Sequence, residues 1–471
     1  MRYLPLLLSF VSLASYAYTP LELLPYGSRT SLVIATPEKA ELELNHRQLF
    51  PPASTLKVIT ALAAKLELDD DFRFQTDIER IGSELVIRFN GDPTLINADL
   101  AKLLKAVKTQ GMTQISNIYL DNSAFSGYER GVGWPWDILG VCYSAPASAI
   151  TLDDNCVQAS ISSTNNGQTS TYVPNHQPIH VTSDATSLSK LAQQAQQCDL
   201  ELTTSDGNQY HLSGCMVTRE KPLPLKFAVQ DTFDYTKQVL TRLLAEQGIQ
   251  LNGNIQIKTV ANQGVLIARH QSAPLNELID TMLKKSDNLI ADNLTKTLGR
   301  EFFHQAGSFA NGTEAIKQII YANTGINLEH AKLADGSGLS RNNRLTAEDM
   351  EQVLKYIWQN DGDLNLIASL PVSGESGTLK YRRSMRQAPI KGHLQAKSGS
   401  LYGSYNMAGF VLDDEQKPTA LFVQFVTDYH PIKKPVNKKG DTPKTLAPIY
   451  QFEQQFYSDV LRSAQGSDLP H

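Results

Sequence analysis

Apolar and polar residues alternate with different periods along the chain, and the changes of period mark its elements. Ser31-Leu32-Val33-Ile34-Ala35 is a short apolar run that predicts a buried strand, with a partner in Leu42 to Leu49. From Ala53 to Leu68 the residues Ile59, Leu62, Ala63 and Leu66 recur at the spacing of one buried helical face. Between Phe72 and about His270 the texture differs. Short runs such as Glu84-Leu85-Val86-Ile87-Arg88-Phe89 are separated by Gly, Asn, Asp and Pro turns, which predicts a β-rich stretch. Helical periodicity returns at Leu275, Leu278, Ile279 and Met282, and past a polar break at Ile290, Leu294 and Leu298. Thr346 to Trp358 reads as a further helix; Met407 to Leu412 and Thr419 to Val426 read as antiparallel strands joined by an Asp-Asp-Glu-Gln-Lys-Pro turn. The expected architecture is an α/β domain made of residues 18–70 and 266–471, interrupted by a β-rich insertion over 71–265. The Ser/Thr/Asn/Gln-rich part at about 158–213 is a candidate subdomain.

Composition narrows the compartment and the partners. The chain has 471 residues, 41% hydrophobic and 19% charged, enough to bury cores in two or three domains. Lys+Arg 43 against Asp+Glu 48 gives a net charge of −5, which argues against a nucleic-acid binder. Residues 1–17 carry one positive charge, a short apolar run and Ser15-Tyr16-Ala17 at the end, the pattern of a secretory signal peptide and hence of export to the periplasm. Beyond Ala17 no apolar stretch is long enough to span a bilayer, and Pro448 to His471 is polar, so at most peripheral membrane association is expected. The four cysteines favour disulfides in an exported chain, and of three connectivities the local pairs Cys142–Cys156 and Cys198–Cys215 are expected. Metal-ligand spacings such as C-x-x-C and H-E-x-x-H are missing, so no metal is expected.

Three elements carry candidate chemistry. Ser54-Thr55-Leu56-Lys57 opens the first helix, and residues three apart share a helical face, so the Ser54 hydroxyl and the Lys57 amine can meet. Lysine activates serine only when neutral, which needs burial and a second cation nearby. By itself S-x-x-K is weak, since Ser187-Leu188-Ser189-Lys190 repeats it. The polar break Lys285-Ser286-Asp287-Asn288 offers a proton relay in Ser286 and a carbonyl-binding amide in Asn288. Lys397-Ser398-Gly399, on a strand before Ser400, offers a fixed charge, a hydroxyl for a carboxylate and room for substrate backbone.

The order S-x-x-K, S-D-N, K-S-G is the set shared by penicillin-binding proteins and serine β-lactamases. Over nearly its whole mature length the chain resembles the low-molecular-mass class C penicillin-binding proteins of the penicillin-binding protein 4 type. The resemblance extends to Pro51-Pro52-Ala53, Asp335-Gly336-Ser337-Gly338-Leu339-Ser340-Arg341, Gly377-Thr378-Leu379 and Ser400-Leu401-Tyr402-Gly403. The third motif has serine where the family more often has threonine. The resemblance implies a β-lactamase/transpeptidase-like fold and a serine D-Ala-D-Ala carboxypeptidase and D,D-endopeptidase without cofactor, acting on peptidoglycan peptides and inhibited by β-lactams. It implies Ser54 as nucleophile, Lys57 as general base, Ser286 as relay, the amides of Ser54 and Ser400 as oxyanion hole, and Lys397 with Ser398 holding the free carboxylate. Arg341 and Asp153 are candidates for reading a diaminopimelate side chain. The alternatives are a β-lactamase, which needs a fast deacylation element not identifiable here, and a non-catalytic β-lactam sensor or wall-binding protein. Lys433, Lys434, Lys438 and Lys439 form a basic stretch suited to anionic wall polymer, and Trp134 and Trp136 are expected to pack within the insertion.

Overall fold

The structure is a computed structural model that describes residues 18–260, 264–432, 446–467 and 469. The expected signal peptide at 1–17 and the basic stretch from Lys433 to Lys439 lie outside the described residues. One five-stranded antiparallel sheet organises both ends of the chain. Its strands are β1 (Arg29–Ala35), β2 (Ala40–Leu44), β3 (Leu394–Leu401), β4 (Ser404–Leu412) and β5 (Pro418–Thr427), in the spatial order β3-β4-β5-β1-β2. The partner of β1 therefore ends before Leu49, and five residues serve where eight were expected.

Successive residues of a strand face opposite sides, and β1 shows what each side is for. Val33 and Ala35 join Phe410, Val423 and Phe425 in a core shared with the helices α1 (Leu56–Glu67), α2 (Leu275–Lys285), α3 (Asn288–Phe303), α4 (Phe309–Thr324) and α5 (Ala347–Leu364). Leu32 and Ile34 face the other way, onto Phe452, Phe456, Tyr457 and Val460 of α6 (Pro448–Ala464). The segment after Pro448, polar in overall composition, is thus an amphipathic helix that closes one face of the sheet. No helix among the described residues is long and apolar enough to cross a membrane.

Residues between α1 and α2 have a core of their own, running from Ile78 to Ile255. A second five-stranded sheet lies there, with Ile255–Ile257, Ile118–Asp121, Glu84–Phe89, Gln75–Ile81 and Val265–Gln271 in that order. Two helices pack with it, Asn97–Thr109 and Thr232–Gln247, inside the stretch expected to be β-rich. The smaller sheets around Cys156–Ser163 and Gln209–Val217 contribute Val157, Ile161, Tyr210 and Leu212 to the same core. Disulfides join Cys142 to Cys156 and Cys198 to Cys215.

Candidate active site

The turn that presents Ser54 is a single 3-10 turn, Ala53–Thr55, leading into α1. Ala53 adopts φ 49°, a left-handed conformation that costs a side chain about 1 kcal/mol and persists only where neighbours enforce it. Several do. Asn406 on β4 donates to the Pro51 carbonyl at 2.7 Å, and the Thr55 hydroxyl donates to the Pro52 carbonyl at 2.7 Å. Gly399 on β3 passes so close that a Cβ there would lie 2.8 Å from the Pro52 oxygen and 3.0 Å from the Ser54 nitrogen. On the opposite side Gly338, at φ +80°, abuts the Ala53 carbonyl. Any side chain at either glycine would push the serine out of place.

One turn into α1, Lys57 is fully buried. Its Nζ lies 3.1 Å from Ser54 Oγ, 2.6 Å from Asn288 Oδ1 and 2.6 Å from the Ser337 carbonyl oxygen. A neutral amine has two hydrogens and one lone pair. Asn288 and Ser337 take the hydrogens, which leaves the lone pair for the Ser54 hydroxyl. Burial lowers the Lys57 pKa to about 8, against the opposing pull of Asp292, Asp335 and Asp287.

Why the helical pattern breaks before Asn288 is visible in the backbone. Ser286 ends α2 in the left-handed region at φ 59°, and Asp287 caps α3 by accepting from the Ile290 amide at 2.9 Å. The break aims Ser286 at Lys397, whose Nζ donates to Ser286 Oγ at 2.9 Å and to the Ser398 carbonyl at 2.8 Å. Lys397 is buried without a carboxylate near it; desolvation and the Lys57 charge hold its pKa well below the ordinary lysine value. The positive charge expected at Lys397 is thus opposed both by burial and by the neighbouring Lys57. Ser398 is half-buried, Ser400 is exposed, and Ser398 Oγ lies 2.9 Å from Thr378 Oγ1.

Two buried carboxylates, missed in the sequence, hold the loop that supplies the Ser337 carbonyl. Asp292 accepts from the amides of Gly336 at 3.0 Å and Ser337 at 2.9 Å with one oxygen, and its other oxygen has no partner. Burial and the nearby Asp335 raise its pKa well above the usual carboxylate value. Asp335 accepts from the Gly338 and Ser340 amides, from Asn343 and from Trp134 Nε1. The signal for Asp292 was its spacing: a carboxylate one helical turn after Asn288, between the apolar positions Ile290 and Leu294.

The expectation for the two tryptophans divides. Trp134 is 8% exposed and packs edge-on against Phe309, whereas Trp136 is 84% exposed and does not pack. Asp153 does not face the cleft either. Its carboxylate accepts from the Asn97 amide at 2.9 Å, from the Asn97 side chain and from the Tyr235 hydroxyl at 2.9 Å, so it is spent on the start of a helix in the insertion. Asp153, Asp154 and Asn155 all lie at positive φ, and this left-handed turn exposes Asp154 instead. Partial desolvation and the carboxylates of Asp287 and Asp153 raise the Asp154 pKa, with Lys226 and Lys285 opposing. Arg341 is exposed and forms no ion pair among the described residues, while its backbone amide donates to the Gly133 carbonyl at 3.0 Å. The other S-x-x-K match is an ordinary cap, with Ser189 accepting from the Ala192 amide at the start of Lys190–Gln196.

A family model describing D-Ala-D-Ala carboxypeptidase 3 (S13) matches residues 31–445. The chain belongs to this family. It is similar to the D-alanyl-D-alanine carboxypeptidase DacB of Haemophilus influenzae, with 36% identity over 93% of this chain and 92% of that one. The crystal structure of penicillin binding protein 4 (dacB) from Haemophilus influenzae superposes with a TM-score of 0.86 at 34% identity, covering 94% of this chain and 98% of that one. A second structure of that protein, complexed with a β-lactam, gives a TM-score of 0.81 at 33% identity with the same coverage. The β-lactamase/transpeptidase-like fold expected from the motifs is the fold of the chain.

Proposed function

We propose that this S13-family chain is a serine D-Ala-D-Ala carboxypeptidase and D,D-endopeptidase that cleaves peptidoglycan peptides and is acylated by β-lactams. The observation that carries the reading is the position of Lys57 Nζ, 3.1 Å from Ser54 Oγ in a pocket that holds its pKa near 8. The functions named for the Haemophilus influenzae relative, and its β-lactam complex, support the same chemistry. The catalytic unit is residues 18–70 with about 272–471, and 71–271 is its insertion, the boundary expected at 265/266 moving because Val265–Gln271 pairs with Gln75–Ile81.

Ser54 Oγ attacks the carbonyl carbon before a terminal D-Ala while its proton passes to the Lys57 lone pair. The tetrahedral oxyanion is held by the backbone amides of Ser54 and Ser400. As the carbon–nitrogen bond breaks, the proton travels through Ser286 to the departing amine, and Asn288 steadies the substrate backbone. Lys397 and Ser398 hold the free carboxylate, whose negative charge restores the ammonium that burial disfavours. Water then attacks the Ser54 ester, giving its proton to Lys57, which returns it to Ser54 Oγ as the ester carbon–oxygen bond breaks and the acid is released. In this reading Arg341 and the exposed Asp154, in place of Asp153, pair with the carboxylate and amine of a diaminopimelate side chain, a role that the exposure of both residues supports. The chain acts in the periplasm.

Incubation with penicillin followed by intact-mass and peptide mapping tests the scheme. A stoichiometric adduct on Ser54, lost in Ser54→Ala, is expected together with D-Ala release from purified sacculi. An adduct elsewhere, or unchanged D-Ala release by Ser54→Ala, would end the proposal.

A further inference from the structure

Ser398 has a feature that its role does not explain: its hydroxyl is already engaged. Thr378 Oγ1 lies 2.9 Å from it, across twenty residues of sequence, and Thr378 is otherwise exposed. The contact is built in. Thr378 sits in the short 3-10 turn Gly377–Leu379, whose Leu379 is fully buried. The preceding loop is laced to β3, with the Ala396 amide donating to the Pro371 carbonyl at 2.9 Å and the Ser373 amide to the Leu394 carbonyl at 2.8 Å. Thr378 and Ser398 are therefore fixed in one frame, and their hydroxyls meet without any movement of the loop.

Serine has no γ-methyl, so its χ1 is free among three staggered wells, whereas a β-branched residue is stiff there. Ser398 must spend its only proton on an incoming carboxylate to bind it. Its neighbours constrain where that proton goes: Lys397 donates to the Ser398 carbonyl rather than to its hydroxyl, and leaves Oγ free to accept from elsewhere. A hydrogen bond received by Oγ both holds χ1 and makes the remaining O–H a better donor, because donated hydrogen bonds polarise along a chain.

We propose that Thr378 is a positioning residue for substrate carboxylate recognition: its hydroxyl donates to Ser398 Oγ, fixing the rotamer that turns the Ser398 proton toward the terminal carboxylate. This rests on the assignment of Ser398 to the carboxylate in the proposed peptidase. No bond is made or broken by Thr378.

The test compares Thr378→Val, which keeps the shape and removes the hydroxyl, with Ser398→Thr and the double variant. Acylation of Ser54 is followed by intact mass with two thioesters of the same D-alanyl peptide, one ending in a free carboxylate and one in its methyl ester. Thr378→Val is expected to lower the acylation rate constant for the carboxylate substrate about 3- to 10-fold, through apparent binding rather than maximal rate, and to leave the methyl ester unchanged. Adding Ser398→Thr, whose own methyl restores χ1 stiffness, is expected to recover most of the loss. An equal loss on both substrates, no loss, or no recovery in the double variant overturns the proposal. Melting temperatures within 2 °C of wild type, roughly the shift a small stability change produces, exclude a folding defect. If wild-type Ser54 is not acylated by either thioester, it is the peptidase reading that fails, so the two failures are distinguishable.

Discussion

Lys296 allows a quantitative test of how the insertion is fastened to the site. It lies on α3, two turns beyond Asn288, and is 1% exposed. Its Nζ donates to the carbonyls of Tyr128 at 2.8 Å and Ala147 at 2.7 Å, with the rings of Phe309 and Phe125 at 4.9 Å and 5.6 Å. No carboxylate pairs with it, and burial lowers its pKa from 10.5 to about 8, with Glu129 and Asp292 opposing. Consider Lys296→Met, which keeps the stem and removes the amine. Two buried carbonyls lose their donor, at about 1 to 3 kcal/mol each. At neutral pH this is offset by relief of a desolvated ammonium, worth about 3 kcal/mol for a pKa displaced from 10.5 to about 8. The sign follows from proton binding. Between the folded pKa near 8 and the unfolded value of 10.5 the unfolded chain holds more protons, so wild-type stability gains as pH rises through that window. The neutral amine still has two hydrogens for two carbonyls and loses nothing there. At pH 7 wild type should therefore lie between about 1 kcal/mol less stable and about 3 kcal/mol more stable than Lys296→Met, and the difference should shift in favour of wild type by about 2 to 3 kcal/mol by pH 10. Urea unfolding of both proteins at intervals from pH 7 to pH 10 measures this. All four cysteines are paired, so no free thiolate starts disulfide exchange at the alkaline end. Other groups titrate in both proteins and cancel in the difference. A gap independent of pH would show that the Lys296 ammonium is not desolvated, and a gap that narrows would reverse the argument.

Three further outcomes are expected. Because Lys57 is neutral only above its pKa of about 8, the rate constant for Ser54 acylation by penicillin should fall roughly tenfold per pH unit below 8 and level off above it; a flat profile from pH 6 to pH 9 removes Lys57 as base. Gly338→Ala places a Cβ against the Ala53 carbonyl at φ +80°, and should slow penicillin acylation at least tenfold, roughly the effect of a 1.4 kcal/mol displacement, whereas an unchanged rate constant shows that the nucleophile turn tolerates it. Phe456→Ala opens a cavity beneath the sheet where Phe456 stacks on Phe452 at 5.9 Å and meets Phe422 at 6.3 Å, and should cost about 3 to 5 kcal/mol by urea unfolding. A loss below about 1 kcal/mol would mean that α6 does not seal that face.

The sequence made some of this legible and hid the rest for physical reasons. Helical spacing is a local rule and is enough to read the contact of Lys57 with Ser54, three residues apart, whereas the meeting of Lys397 with Ser286, 111 residues away, is legible only through the family resemblance of the motif order. The helix Thr232–Gln247 was overlooked although Tyr235, Val239, Leu240, Leu243 and Leu244 repeat at helical spacing, since the turn-rich composition around it dominated the reading. Composition also misled at Pro448–Ala464, where polar residues are interleaved with a buried stripe of Ile449, Phe452, Phe456, Tyr457 and Val460. Asp153 and Asp154 were indistinguishable in one dimension. Only the left-handed backbone at 153–155 decides which carboxylate turns inward to Asn97 and which is exposed. The lowering of the Lys397 pKa is hidden for another reason: desolvation depends on what surrounds a residue in space, and the sequence shows only what precedes and follows it.

The polar face of α3 links the insertion to the pair formed by Ser54 and Lys57. Asn288, Asp292 and Lys296 follow at intervals of four, so they line one side of the helix. Each reaches a different part of the molecule. Asn288 receives Lys57 through its oxygen and donates to the Tyr143 carbonyl of the insertion at 2.7 Å. Asp292 grips the Gly336 and Ser337 amides, whose loop returns a carbonyl to the same lysine. Lys296 closes on Tyr128 and Ala147, on either side of the Tyr143 segment. A shift of the insertion by even 1 Å would pull the Asn288 amide by way of Tyr143 and lengthen a hydrogen bond that keeps the Lys57 lone pair aimed at Ser54. Hydrogen bonds weaken steeply with such a change, and proton transfer more steeply still. Asn288, Asp292 and Lys296 thus tie the insertion and the Gly336–Ser337 loop to the helix that faces Lys57, and each buried polar group finds backbone partners for its hydrogen bonds.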